Sequence, residues 1–311
     1  MPRNKIALIG GGQIGGVAAL MAARRGSADI VLLDIPDKEG VVKGKALDIL
    51  ALRPYYAADV NLKGSSDYAD IADSDVVIVT AGLPRKPGMT REDLLGFNLK
   101  IVRTVAENVK KYAPQAFVIL TTNPLDAMVH AFYKISGLPK NRVVGMAGLL
   151  DSARFRTFVA QATRLSVQDA TGLVMGGHGP LMIPLVRTAT VGGVPITDLL
   201  PQDRIDEIVN HTRNAGTEVV ELLGEGSAYF SPAAAVIEMA EACLKDKRRV
   251  IPSAALCEGE YGIDGYFIGV PCVIGANGVE RIIEFPLTDE ERKLLDANLE
   301  EVKRQVAATG L

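Results

Sequence analysis

The chain opens on a short apolar run, Ile6-Ala-Leu-Ile, that breaks into Gly10-Gly-Gly12-Gln-Ile-Gly15. A helix-forming stretch through Val17, Leu20, Met21 and Ala23 follows. A second apolar run, Ile30-Val-Leu-Leu, then ends on Asp34, 19 residues past Gly15. This order of strand, Gly-x-Gly-x-x-Gly, helix, strand and terminal acid matches a dinucleotide-binding βαβ unit. The first glycine permits a tight turn, the second lets backbone approach a pyrophosphate, and the third lets helix pack on strand. The pyrophosphate would sit against unpaired amides at the helix N-terminus. Gly10, Gly11, Gly12, Gln13, Ile14 and Gly15 are therefore assigned to the cofactor loop. A glycine motif alone says little; the flanking strands and the acid at this distance carry the reading.

Asp34 also selects the cofactor. Its carboxylate can accept hydrogen bonds from the adenosine ribose hydroxyls, and it repels a 2′-phosphate. Ile35, Pro36 and Asp37 follow it, with no cation to hold such a phosphate. NAD is expected rather than NADP. The plain alternative is a solvated aspartate ending a strand.

With 311 residues the chain can bury a large core, expected as two lobes. The balance of 34 basic against 37 acidic groups, net −3, without a long basic block, argues against a nucleic-acid surface. No apolar run approaches the roughly 18–20 residues of a membrane span. Met1-Pro-Arg-Asn-Lys leads straight into the first strand, which leaves no room for a signal peptide, so a cytoplasmic protein is expected. Cys243, Cys257 and Cys272 are 14 and 15 residues apart, without Cys-x-x-Cys. That spacing suggests neither a disulfide framework nor zinc, and no metal is expected.

Through the first half, apolar runs alternate with helical stretches: a helix candidate over 40–52, a strand from Val60, and Asp75–Gly82 as a buried strand ending in small residues. A long helix is expected over Arg91–Tyr112, then a strand running from Ala116 to Asn123, then Arg142-Val-Val-Gly-Met. Such alternation implies a Rossmann-type, doubly wound parallel sheet. Ligands bind such sheets outside the carboxyl ends of the strands. Gly10–Gly15, Asp34, Thr80, Ala81, Gly82, Thr121, Thr122 and Asn123 all fall there. From about residue 148 the rhythm changes, with helices near 150–165, 203–224 and 232–244 and a hairpin turning at Asn277-Gly278. Thr288-Asp-Glu-Glu291 is a capping box that opens the last helix. The fold class is thus α/β: an NAD-binding Rossmann domain over 1–147, then a mixed α+β catalytic domain over 148–311.

Three clusters lie outside the glycine fingerprint. Gly82-Leu-Pro-Arg85-Lys-Pro-Gly88-Met-Thr90-Arg91-Glu-Asp93 reads as a loop leaving a sheet strand, with Thr90 and Asp93 capping the next helix. It is either a solvated basic loop or a lid carrying two guanidinium groups onto an anionic substrate. In Leu150-Asp151-Ser-Ala-Arg154-Phe155, a helical projection puts Asp151 in the apolar stripe of Phe155, Phe158, Val159 and Ala162. Arg154 falls to one side, while Arg156 and Arg164 face outward. A carboxylate on an inward face needs a partner. The third cluster, Met175-Gly-Gly177-His178-Gly-Pro180, holds one of only three histidines in a glycine-rich segment. His130 and His211 sit in helical contexts and read as structural.

Together these residues suit hydride transfer. His178 can take a hydroxyl proton near neutral pH, and Asp151 can fix its tautomer and stabilise the imidazolium. Arg154 can hold a substrate carboxylate bidentately. Arg91 can polarise a carbonyl oxygen, with Asn123 donating nearby. Arg85 is left for a further anion.

On these residues the chain resembles the lactate/malate dehydrogenase family over essentially all its length. The markers are Gly10–Gly15, Asp34, Pro84-Arg85-Lys-Pro-Gly-Met-Thr-Arg91, Asn98, Thr122-Asn123-Pro124, Leu150-Asp151-Ser-Ala-Arg154 and Gly177-His178-Gly179. The resemblance implies His178 as proton acceptor, Asp151 as its partner and Arg154 as carboxylate anchor. It places Arg91 and Asn123 at the substrate, with Asn98 and Thr121–Asn123 lining the cofactor site. At the position of Arg85 the lactate enzymes typically carry Gln and the malate enzymes Arg. A dicarboxylate substrate follows from that arginine, and the resemblance implies malate and oxaloacetate and a place in the tricarboxylic acid cycle. A homo-oligomer is implied as well, a tetramer rather than a dimer. One departure is Pro180, where the family usually has Asp after His-Gly; it bears on how the His178 loop is anchored. The competing readings are a lactate-type or broad 2-hydroxyacid dehydrogenase, against which Arg85 argues, and a catalytically idle nucleotide-binding protein.

Overall fold

The computed structural model describes residues 3–84, 91–224 and 226–311, without the side chains of Arg91 and Glu92. Six strands run parallel: β1 (Asn4–Ile9), β2 (Ala28–Leu33), β3 (Leu62–Ser65), β4 (Val76–Val79), β5 (Phe117–Leu120) and β6 (Val143–Gly145). Their spatial order is β3-β2-β1-β4-β5-β6, with Ile6 registered against Ile30 on one side and Val76 on the other. The chain order reverses beside β1, and the glycine fingerprint leaves the carboxyl end of that strand. β4 reads Val-Val-Ile-Val without a polar break because helices cover both faces of the sheet.

Alternation along each strand assigns side chains to one of two cores. Ile6 and Leu8 point into one and Ala7 and Ile9 into the other; Val76 and Ile78 part from Val77 and Val79 in the same way. The first core is closed by α1 (Gln13–Arg25) and α2 (Glu39–Leu50), the second by α4 (Arg91–Tyr112) and α5 (Leu125–Ser136). A single turn, α3 (Arg53–Tyr56), follows α2. β3 begins at Leu62, two residues after the sequence places it, with Val60 buried ahead of it.

The second half continues the same sheet. After α6 (Gly148–Thr163) come five two-residue strands: β7 (Ala170–Thr171), β8 (Val174–Met175), β9 (Ile183–Pro184), β10 (Thr190–Val191) and β11 (Val194–Pro195). They are followed by α7 (Ile196–Leu199), α8 (Gln202–Leu223) and α9 (Phe230–Leu244). The antiparallel strands β12 (Arg249–Glu258), β13 (Asp264–Gly275) and β14 (Gly278–Ile282) then join β6 through the pair Ala254–Gly145. One nine-stranded sheet results, and α9 covers its first face beside α1. The junction needs Gly145, since a Cβ there would lie 2.7 Å from Val129 Cγ2. The hairpin turns on Ala276-Asn277, one residue earlier than expected. Gly278 opens the next strand at φ +83°, where a Cβ would strike the Asn141 carbonyl at 2.1 Å. The last helix, α10 (Asp289–Ala307), starts with the expected capping box: Glu291 N–H donates to Thr288 Oγ1 at 3.2 Å, and Thr288 N–H to Glu291 Oε2 at 2.9 Å. All three cysteines are free and buried.

Candidate active site

The fingerprint glycines meet three different constraints. Gly10 holds φ +110°, and a Cβ on it would sit 2.5 Å from the Ala81 amide nitrogen. A Cβ on Gly15 would lie 1.9 Å from the Gly10 carbonyl, so helix and turn touch there. Gly12 has nothing within 4 Å of its Cβ direction and is exposed. That open side adjoins the N-terminus of α1, which carries no side-chain cap and no acid in its first turn. Orphan amides beside open space fit a pyrophosphate. Asp34 stands at the end of β2, where Oδ2 accepts Gly11 N–H and Oδ1 accepts Ile35 N–H, each at 2.8 Å. Lys45, from α2, donates to the Gly11 and Gly12 carbonyls at 2.7 and 2.8 Å, which brings a cation near Asp34.

The other strand ends converge on the same crevice. Thr80 and Ala81 amides both donate to the Ile9 carbonyl, and Thr80 Oγ1 donates to that of Gly10 at 2.8 Å. Thr122 Oγ1 donates to the Ala81 carbonyl at 2.7 Å, and Thr121 Oγ1 to that of Val79 at 3.2 Å. Gly82 packs so close to Thr122 that a Cβ would meet its methyl at 2.7 Å. Asn98, fully buried on α4, joins the two loops: Oδ1 accepts Leu83 N–H at 2.8 Å, while Nδ2 donates to the Asn123 carbonyl at 2.7 Å. Asn98 thereby shapes the crevice through backbone, and Asn123 stands exposed at its edge. Arg85 and Thr90 lie outside the described residues, and Arg91 is placed as the first residue of α4 by its backbone alone.

The side chains expected to carry the proton come from the second half. Asp151, 1% exposed in the first turn of α6, accepts at Oδ1 from Arg154 Nη1 (3.2 Å). Its Oδ2 lies 2.8 Å from His178 Nδ1. The inward face that a helical projection assigned to Asp151 is real, with Phe155 and Val159 fully buried along it. Arg156 is a correction: it is half-buried rather than outward-facing, and its Nε donates to the Ala170 carbonyl at 2.7 Å. His178 and Arg154 keep 21% and 13% of their side chains exposed, so each has an open side despite its pairing with Asp151. The His178 pKa is raised, first by the Asp151 charge. Burial opposes that charge, the hydrogen bond to Asp151 and the charge of Asp126 add to it, and Arg154 works against it. His130 and His211 are elsewhere, the first buried beside Tyr266 and Phe267, the second stacked on Phe158 and paired with Glu218.

The loop bearing His178 is held from three sides. Gly176 N–H donates to the Gly269 carbonyl on β13 at 2.7 Å, and Gly177 N–H to Asn298 Oδ1 on α10 at 2.9 Å. His178 N–H donates to Asp126 Oδ2 on α5 at 3.3 Å. Asn298 Nδ2 then donates to the Leu181 carbonyl at 2.6 Å, so one amide grips both sides of the loop. Pro180 follows His178-Gly179 in a turn closed by Met182 N–H to the Gly179 carbonyl at 3.0 Å. It occupies the second position of that turn, where the fixed φ of proline is favourable. Sequence reasoning missed Lys45, Asp126 and Asn298. A signal for the last was present, since Asn298 interrupts the buried stripe of Leu295, Val302 and Val306.

Two family models match the chain end to end. One, described as the NAD binding domain of lactate/malate dehydrogenase, matches residues 4–145; the other, its alpha/beta C-terminal domain, matches residues 149–309. The chain belongs to the lactate/malate dehydrogenase family. It is therefore an NAD-dependent oxidoreductase, and the open glycine loop and Asp34 fit that cofactor. A malate dehydrogenase of Myxococcus xanthus is 56% identical over 309 residues, 99% of this chain and 98% of that one. One of Bacillus pumilus is 54% identical over 97% of this chain and 96% of its own. Among solved structures, a lactate dehydrogenase of Cryptosporidium parvum, complexed with lactic acid and β-nicotinamide adenine dinucleotide, superposes with a TM-score of 0.96. It is 50% identical and covers 100% of this chain and 99% of its own. A malate dehydrogenase of the same organism gives 0.96 at 44% identity, covering 99% of each chain. Lactate/malate dehydrogenases of both kinds thus share this backbone, and the substrate must be argued from side chains.

Proposed function

We propose that the chain interconverts (S)-malate and oxaloacetate with NAD. The observation that carries the reading is the Arg154–Asp151–His178 cluster, at 3.2 and 2.8 Å, whose loop is tied through Asp126 to the helix that follows Asn123. Asp151 engages Nδ1 of the imidazole, so in the neutral ring Nδ1 holds the proton and Nε2 presents the lone pair. On oxidation Nε2 takes the proton of the substrate hydroxyl, and on reduction the imidazolium returns it to the forming alkoxide. Asp151 stabilises the imidazolium without itself being protonated. NAD, when bound, accepts the hydride released from the carbinol carbon. Arg154 anchors the carboxylate beside the reacting carbon, and Arg91 and Asn123 polarise its oxygen. On this reading residues 1–147 hold the cofactor and lend Arg85, Arg91 and Asn123 to the substrate, while 148–311 carry the Arg154–Asp151–His178 cluster.

Arg85 decides the dicarboxylate. Oxaloacetate brings a second carboxylate that a guanidinium can pair, whereas pyruvate's methyl would leave that cation unpaired in a closed site. Removing one partner of a buried charge pair costs roughly 2–5 kcal/mol, about 30- to 4,000-fold in discrimination. NADH oxidation by the purified protein, with oxaloacetate and pyruvate at matched concentrations, tests the assignment. A preference for oxaloacetate that moves towards pyruvate in Arg85→Gln is expected. Preference for pyruvate in the unmodified protein would overturn the malate reading, and turnover of neither would return the idle binder. The reading extends to a cytoplasmic homotetramer of the tricarboxylic acid cycle rather than a dimer. Exposed apolar side chains on α2, α3 and the end of α8 (Leu47, Tyr55, Leu222) support an assembly, and sedimentation velocity reads its size.

A further inference from the structure

Behind the His178 loop lies a second carboxylate that the chemistry above does not use. Asp126 stands in the first turn of α5, three residues after Asn123, and is 5% exposed. Its Oδ2 accepts the backbone N–H of His178 at 3.3 Å. Oδ1 has no hydrogen-bond partner among the described residues. The approach is close: a Cβ on Gly177 would stand 3.1 Å from Oδ2. The glycine before the histidine is therefore what lets carboxylate and loop lie against each other.

A buried carboxylate with an empty oxygen is a poor structural element. Desolvating the charge is costly unless it is paired, and an asparagine in its place would accept the same N–H without that charge. Burial pushes the Asp126 carboxyl up to about 6. The His178 charge, the His178 N–H and its own backbone amide oppose the rise, and the Asp151 charge assists it. Among the described residues the groups facing His178 are Asp151 and Arg154 from α6, Asp126 from α5 and the neutral amide of Asn298 from α10. Among them the imidazole is flanked by Asp151 at the ring and Asp126 at the backbone, with the Arg154 guanidinium nearby.

We propose that Asp126 is a positioning residue of the proton-transfer step, its carboxylate fixing the His178 backbone over Asp151 and placing a second negative charge behind the imidazole. The proposal rests on His178 being the proton carrier. Its charge favours the imidazolium, which oxaloacetate reduction needs at its start, and its acceptor oxygen keeps Nε2 aimed at the crevice. Protonation of Asp126 as pH falls towards 6 removes that support.

The chain has only three histidines, so the His178 imidazole can be assigned and titrated by NMR in the full-length protein. Asp126→Asn keeps an acceptor for the N–H and deletes the charge. The His178 midpoint is expected to fall by about half to one pH unit. Above both midpoints that is a ~3- to 10-fold loss of imidazolium and of oxaloacetate reduction, with NADH affinity unchanged. Asp126→Ala also removes the acceptor and is expected to lower kcat further. An Asp126→Asn midpoint that coincides with the wild type overturns the electrostatic role. An Asp126→Ala kcat equal to that of Asp126→Asn overturns the positioning role. If Asp126→Asn fails to fold, Asp126→Ser, smaller and also neutral, carries the same expectation. Failure of the malate reading shows separately, as a wild type that turns over neither substrate while its His178 midpoint still responds to Asp126.

Discussion

Two buried carboxylate clusters, one at the α1–α9 contact and one at the His178 loop, meet opposite fates. Glu241, with a side chain 6% exposed on α9, accepts from Arg25 at 2.7 Å, Lys245 at 2.8 Å and Lys247 at 3.0 Å. Its neighbour Glu238 takes Arg25 at 3.1 Å and also Arg249. Burial would push the Glu241 carboxyl up, but the hydrogen bonds from Lys245 and Lys247 and the Arg25 charge reverse it and hold it at about 2. Asp126 is the more deeply desolvated of the two, meets far less opposition and is pushed up to about 6. Two carboxylates share four cations in the first cluster; in the second, among the described residues, Asp151 and Asp126 share one guanidinium and one imidazole. Depth of burial and the supply of cations together decide whether a buried acid is locked as an anion or left in play. The locked cluster joins helices from the two halves of the chain, and the open one surrounds the proposed proton carrier.

Removing the mobile proton carrier should have the largest effect. His178→Gln is expected to lower turnover by about 10²- to 10⁴-fold, the usual weight of general acid–base catalysis, while NADH binding persists. Stopped-flow turnover and fluorescence titration of NADH check both halves. Turnover within tenfold of wild type would place the proton on another group and dissolve the contrast.

Glu241→Gln tests the locked cluster through stability. Loss of hydrogen bonds to charged groups at a buried site should destabilise by about 1–3 kcal/mol, with activity at moderate temperature unchanged. The pH dependence has a definite sign. Because the folded pKa lies below the ordinary value of 4.5, the stabilisation is full above about 4.5 and is lost as pH falls towards 2. The gap in unfolding temperature between wild type and variant should therefore narrow through that window. A gap constant down to pH 3 would mean that Glu241 acts through packing rather than charge.

The legible parts of this molecule are those written in local sequence. The glycine fingerprint, Asp34, the span of α4 and the Thr288 capping box each state their geometry within a few residues. Asp151 and Arg154 were visible because a charge in an apolar helical stripe demands a partner. The continuation of the sheet from β6 into β12 was not visible, since periodicity says that a strand exists and not which edge it meets. Asp126 and Asn298 were hidden for the same reason. Their partners in the His178 loop lie 52 and 121 residues away, and only folding brings them together. Lys45 carries no local signal, since only the packing of its helix beside the glycine loop brings its ammonium to the Gly11 and Gly12 carbonyls.

The smallest expected effect is the sharpest test of cation surplus. Arg249 is 44% exposed and pairs with Glu238, which keeps Arg25 at 3.1 Å and Lys247 at 3.6 Å if the arginine is lost. An exposed ion pair is worth about 0–1 kcal/mol, and at 1 M salt the screening length falls to about 3 Å. Arg249→Gln should therefore destabilise by less than about 1 kcal/mol, and the difference should disappear at high salt. The His178 midpoint should hardly move in the same salt, because Asp151 is buried and unscreened. Chemical denaturation of the variant at low and high salt, beside the histidine titration, reads both. A loss near 3 kcal/mol would show that every cation at the α1–α9 contact is needed, leaving geometry rather than cation supply as what separates the two clusters.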